Sequence, residues 1–279
     1  MNTALTQADQ DQIEAFLSKG VNLPPQPRIL TEIDAVASKR NASMRSISDL
    51  VGRDAALTAR MFKIIHSPFF GLRREIDSLD QAISIMGLEA ALTVIKTSAL
   101  KDAIGGNSQA MDAFWERAND IAGLCAQIAK KQRSVLRIAP EHAHMAGLFH
   151  DCGVPILMQR FPTYCKDLAR AWPDLATEDE QHKTSHAVAG YLVARNWKLP
   201  DNVCQAVRHH HELENVTDTD RTLTALLLMA IHLYNLTYGR DDTEWDAVEA
   251  MVLTELGLTA VGQIEFQEEI VQSFQEAQS

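Results

Sequence analysis

Apolar side chains along this chain recur at intervals of three and four rather than two, the spacing of a helix that buries one face. Ile29, Leu30, Ile33, Val36 and Ala37 form one such stripe, and Leu57, Met61, Ile64 and Ile65 another. The pattern predicts helices over 7–19, from Ile29, from Asp54, from Ser78 to Gly87, and over 88–103. Further helices are expected over 114–131, 141–150, 155–171, 185–197, 202–211, 218–238, 242–255 and 259–276. No run of four or more residues alternates convincingly as a strand does, so the expected fold class is all-α.

Local signals punctuate these helices. Leu23-Pro24-Pro25-Gln26-Pro27 reads as a stiff extended entry, because each proline fixes its own φ and restricts the residue before it. Ser46-Ile47-Ser48-Asp49 and Ser78-Leu79-Asp80-Gln81 read as capping boxes, Asp54 as an N-cap, Gly87 as a helix end and Pro68-Phe69-Phe70-Gly71 as a turn. Gly105-Gly106-Asn107-Ser108 is the strongest break. It divides the expected organisation into an N-terminal helical subdomain over 1–105 and a second helical domain, with a C-terminal extension, over 106–279. The acidic tail from Gln263 carries Ile264, Ile270, Val271 and Phe274 at helical spacing and is expected to pack on its own domain rather than on a partner.

Composition narrows the function. Of 279 residues, 46% are hydrophobic and 23% charged, which suits a folded globular chain. With 26 Lys+Arg against 37 Asp+Glu the net charge is −11, which argues against broad nucleic-acid binding, since that depends on neutralising phosphates. No apolar run approaches the roughly 18–20 residues of a membrane span. The opening MNTALTQADQDQ lacks the pattern of a secretory signal, so a cytoplasmic location is expected. Cys125, Cys152, Cys165 and Cys204 are widely spaced without a CxxC and are expected to be reduced, apolar fillers.

Histidine is where chemistry concentrates. His142, His144 and His150 lie close together, His182 and His186 follow, and His209-His210-His211 is a run. Imidazole and carboxylate together are the donor set of divalent metals such as zinc. Adjacent side chains diverge by about 100° on a regular helix, so His150 and Asp151 face one ion only where a helix is ending.

Ala146-Gly147-Leu148-Phe149-His150-Asp151-Cys152-Gly153 resembles the AGLLHDIG segment of the HD-superfamily metal-dependent phosphohydrolases. Several segments resemble one branch, the HDOD (HD-related output domain) family. They are Leu23–Pro27, Asp54–Thr58, Ser67–Leu72, Ile76–Ile83, Met86-Gly87, Ser185–Leu192, Trp197–Pro200 and His209-His210, in the family's order over about residues 20–236. This resemblance implies an all-helical fold and a bacterial signalling or regulatory role, with other signalling proteins as partners and a nucleotide as a possible ligand.

An HD phosphohydrolase takes its first metal with an early His, the His-Asp pair and a later Asp. Here the pair stands as His150 and Asp151, but Arg117 aligns with the early His and Asn235 with the later Asp. A guanidinium has no lone pair for a metal and repels cations, and a neutral amide oxygen is a weaker ligand than a carboxylate. The expectation is a degenerate site in which Arg117 pairs with Asp151, no resident cofactor, and a non-catalytic protein. His186, His209 and His210 resemble the extra histidines of binuclear relatives. With His150 and Asp151, and His144 or His232 nearby, they could hold a divalent metal in a shifted site. The competing expectation is a divalent-metal phosphohydrolase acting on a nucleotide or phosphodiester.

Overall fold

A computed structural model describes residues 11, 13–14, 17–18, 20–37, 43–65, 76, 78–104, 108–216, 218–259 and 261–278, which contain helices and no strand. The chain divides into two compact units, one of residues 25–105 and one of residues 1–24 with 106–279. Most of the helix predicted over 7–19, and the segment from Pro68 to Arg74, fall outside the described residues.

In the smaller unit, α1 (Arg28–Ala37), α2 (Met44–Val51), α3 (Ala55–Ile65), α4 (Leu79–Met86) and α5 (Leu88–Ile104) enclose Leu30, Ile33, Ile47, Val51, Met61, Ile65, Ile83 and Ile95. Asp54 caps α3 as predicted, its carboxylate accepting the Leu57 N–H at 3.0 Å. The other two boxes differ. Helix α2 starts earlier, capped by Ser43, whose hydroxyl accepts the Ser46 N–H at 3.2 Å. Ser46, the expected cap, therefore lies inside the helix, and Ser48 donates to Asp80. Ser78 sits at the N-cap of α4 without a side-chain bond to the helix.

The larger unit contains α6 (Gln109–Lys131), α7 (Arg133–Leu136), α8 (Pro140–Phe149), α9 (Gly153–Arg160) and α10 (Leu175–His182). It continues with α11 (His186–Asn196), α12 (Asp201–His209), a short 3-10 turn over Leu213–Asn215, α13 (Asp218–Thr237), α14 (Trp245–Glu255) and α15 (Gly262–Gln278). Helix α8 packs chiefly on α6, while α13 contacts α6, α12 and α14. Trp197 is fully buried and donates its Nε1–H to the Pro24 carbonyl at 3.2 Å.

The predicted helix over 155–171 stops at Arg160, because Pro162 pushes Phe161 to φ −121° and ψ 99°. Helix α10 is an addition to the pattern. Its mostly polar LATEDEQH sequence has no apolar stripe, and it is fixed by Asp174, which accepts the N–H groups of Ala176 and Thr177 at 3.1 and 3.3 Å. Helix α15 buries Phe266, Ile270 and Phe274 on its own unit. All four cysteines are buried and none is in a disulfide. No helix among the described residues is long and apolar enough to cross a membrane.

Candidate functional site

The site forms where α8 ends. His150 still has helical backbone, Asp151 and Cys152 turn, and α9 begins at Gly153, so adjacent side chains reach one region. Two glycines bracket the pair and bring neighbouring helices to it. A Cβ on Gly147 would lie 2.7 Å from Ala122 Cα, so α8 can press on α6, the helix carrying Arg117. A Cβ on Gly153 would lie 2.0 Å from the His186 carbonyl oxygen and 2.7 Å from the Gly190 nitrogen, so α9 can press on the start of α11.

Three ring nitrogens then converge, all within 4.8 Å of one another, with a carboxylate oxygen beside two of them. His186 Nε2 lies 3.3 Å from His210 Nε2, 3.0 Å from His211 Nε2 and 3.5 Å from Asp151 Oδ1. His210 Nε2 lies 3.4 Å from the same Oδ1. The opposite nitrogen of each ring faces a pure acceptor. His186 Nδ1 meets the Asp179 carboxylate at 2.7 Å, His210 Nδ1 the Val207 carbonyl at 2.8 Å and His211 Nδ1 the Glu244 carboxylate at 2.7 Å. Nδ1 therefore carries the proton in each neutral ring, and Nε2 presents its lone pair. Asp151 Oδ1 faces two such lone pairs and, although buried, has no hydrogen-bond partner. Three lone pairs and a carboxylate oxygen repel one another unless a cation lies among them.

This set fits a metal. Zinc ligands about 2.0–2.1 Å from the ion stand roughly 3.3–3.4 Å from one another in a tetrahedron. The contacts of 3.0–3.5 Å match that edge. Outer acceptors that fix ring orientation are the usual support of metal-binding histidines. Asp179 is itself held by the Tyr164 hydroxyl at 2.7 Å and by the His186 N–H at 3.0 Å.

The other side of Asp151 belongs to Arg117. Its Nη1 donates to Asp151 Oδ2 at 3.2 Å and to His150 Nε2 at 3.1 Å, while His150 Nδ1 is held by the Gly147 carbonyl at 2.6 Å. The guanidinium lies 4.2 Å from the Trp172 ring centre and 5.2 Å from that of Tyr234, within cation–π range. A cation-repelling group thus uses the lone pairs that the sequence resemblance assigns to a first metal. Asn235 lines the same cavity and bonds to Asp242, and His232, stacked on Trp245, bonds to Asp242 at 2.9 Å.

The charges follow from this packing. Burial pushes the Asp151 carboxyl up, yet the hydrogen bonding and positive charge around it, Arg117 included, hold it well below the usual carboxylate range. Burial holds the His210 imidazole well below its usual value and lowers that of the Arg117 guanidinium. Burial opposes charge on His211 as well, yet Glu244 raises it overall.

Of the five metal-site residues predicted from sequence, Asp151, His186 and His210 come together. His150 lies alongside, bound to Arg117, and His209 lies apart, its Nδ1 3.9 Å from Glu212. His211 takes the place expected for His209, and sequence reasoning missed it together with Asp179 and Glu244. The signal was the histidine run itself. Which member turns inward depends on α12 ending at His209.

The HDOD domain family model matches residues 23–213. The fold is shared with an HDOD domain protein of unknown function from Geobacter sulfurreducens, with TM-score 0.69, 21% identity, and coverage of 97% of this chain and 98% of that one. It is also shared with a proposed signal transduction protein of Marinobacter aquaeolei VT8, with TM-score 0.65, 23% identity, and coverage of 97% of this chain and 62% of that one. An uncharacterized protein of Treponema pallidum (strain Nichols) is 21% identical over 214 residues, and the match spans 75% of this chain but only 41% of that protein. The match of the family model over most of the chain, with the motifs in order on an all-helical fold, establishes that this chain belongs to the HDOD domain family.

Proposed function

We propose that this chain is a non-hydrolytic regulatory domain that holds one divalent metal ion through Asp151, His186, His210 and His211. The observation that carries this reading is the two-sided environment of Asp151. One oxygen faces an acceptor cluster that calls for a cation, and the other is bound by the Arg117 guanidinium. His186, His210 and His211 converge within 4.8 Å of one another, and Asp151 Oδ1, 3.5 and 3.4 Å from His186 and His210, is the carboxylate beside them that would take the position a hydrolytic site keeps open for water. Bound there, a divalent ion would supply electrostatic cross-linking of α11, the segment after α12 and the end of α8. Arg117 keeps a second ion away from His150, which removes the paired-metal arrangement used to activate water against phosphoesters. The described relative from Marinobacter aquaeolei supports a signalling context, with input and output exchanged by binding to other signalling proteins.

Elemental analysis of protein purified without chelator tests this directly. About one metal per chain, lost in His210→Ala, and a lower melting temperature after chelation are expected, because an ion bound only by the folded state stabilises it. Two metals per chain, with phosphodiesterase activity abolished by His150→Ala, would overturn the reading in favour of a phosphohydrolase.

A further inference from the structure

Between Thr237, where α13 ends, and Trp245, where α14 begins, the chain runs as a short strap. Gly239 turns it at φ 60°, and the Arg240 N–H returns to the Asn235 carbonyl at 2.8 Å. Beyond that turn, alternate side chains are tied down. The Arg240 guanidinium lies 5.4 Å from the Tyr234 ring centre, within cation–π range. The Asp242 carboxylate meets His232 Nδ1 at 2.9 Å, and the Glu244 carboxylate accepts from His211 Nδ1 at 2.7 Å. The first two ties return to α13, the helix the strap has just left. Of the three, the Glu244 tie is the one that crosses to the histidine cluster. Residues 241–244 also line a cavity of about 150 Å³ together with Arg117 and His150.

The crossing tie is weak by itself. The His211 and Glu244 side chains are 34% and 49% exposed. Pairs at such exposure contribute little, because water competes for both partners. A cation on His211 Nε2 changes this. It draws electron density from the ring, makes the Nδ1–H a stronger donor and adds positive charge facing the carboxylate.

We propose that metal on the histidine cluster latches this strap: occupancy is transmitted through the His211 ring to Glu244 and seats residues 239–244 as a wall of the cavity. The inference rests on the metal reading above. Its size follows from reciprocity. An outer acceptor of a metal-bound histidine raises metal affinity about 10–100-fold, and whatever factor the seated strap gives to metal binding, metal binding gives back to the seated strap. The start of α14 reports the state, because the Trp245 and Ala247 N–H groups bond to the Asp242 and Glu244 carbonyls at 3.3 and 3.2 Å.

Hydrogen exchange of the full chain, loaded with zinc or stripped by chelator, tests the proposal, with zinc content measured on the same samples. Exchange at Trp245 and Ala247 is expected to slow about 10–100-fold on loading, while peptides from the 25–105 unit stay unchanged. In Glu244→Ala at saturating zinc, the strap is expected to lose this slowing while peptides around His186 and His210 keep theirs. Glu244→Gln, whose amide oxygen still accepts from Nδ1 but carries no charge, is expected to retain part of it. Zinc uptake with unchanged exchange at Trp245 and Ala247, or equal slowing in Glu244→Ala, would overturn the inference and leave the metal site standing. Absence of zinc uptake would defeat the metal reading and this inference with it.

Discussion

Replacing Gly153 by alanine tests how the fold builds the site. The added Cβ would lie 2.0 Å from the His186 carbonyl oxygen, 2.7 Å from the Gly190 nitrogen and 2.8 Å from the Ala189 Cβ. Two of these obstacles are backbone of α11, so α9 and α11 must separate by about 1 Å or more to restore ordinary contact. Overpacking of this kind costs about 1–3 kcal/mol and more where nothing can yield. Alanine returns up to about 1 kcal/mol through its better helix propensity. A clash this close to backbone lies at or above the top of that range, so a net loss of about 2–3 kcal/mol is expected, which lowers the melting temperature by roughly 4–12 °C in a unit of this size. Gly123→Ala is the matched control. Its Cβ would meet only the Phe274 ring at 3.6 Å, an ordinary contact, and the variant should melt at or slightly above the parent temperature. Thermal unfolding followed by circular dichroism reads both. A Gly153→Ala protein melting within about 2 °C of its parent would refute the claim that this glycine sets the helix separation.

Other consequences can be checked separately. Glu244→Ala removes the acceptor that orients His211 and should weaken metal binding about 10–100-fold in a chelator competition assay, with unchanged affinity excluding that role. Combining Arg117→His with Asn235→Asp restores the ligand types that the HD resemblance expects and should raise metal content from one ion per chain to two by elemental analysis. Burial raises the Cys125, Cys152 and Cys165 thiols above their ordinary values, and all four cysteines are buried outside any disulfide. A thiol-exchange reagent should therefore find no reactive cysteine in the folded chain and four after denaturation.

The helical class was legible because apolar spacing survives any detail of packing. Particular ends were not. Pro162 should have shortened the helix after Gly153, but the apolar residues Tyr164, Cys165 and Leu168 beyond it preserve the stripe and fold as turns. Helix α10 was invisible because its stability comes from Asp174 at its start rather than from an apolar face. In the site, the pairing of Arg117 with Asp151 followed from the resemblance, which aligns Arg117 with an early metal-binding His, and from charge, since a buried carboxylate without a metal needs a cation. The choice of His211 over His209 did not, because it turns on where α12 releases its last residue. Asp179 and Glu244 carry no motif. Their roles arise only when α10 and the start of α14 are brought beside the rings.

The bond from Trp197 to the Pro24 carbonyl joins groups 173 positions apart. During synthesis, the segment before Pro25 must remain unsatisfied while the whole 25–105 unit emerges and while more than half of the later helices are made. The shorter unit is thus free to collapse first, on local interactions, and the longer one closes around that early segment only after Trp197 has been made. Losing the segment that ends at Pro24 would strip the indole of its acceptor in a finished interior, so damage there would surface as a late assembly failure.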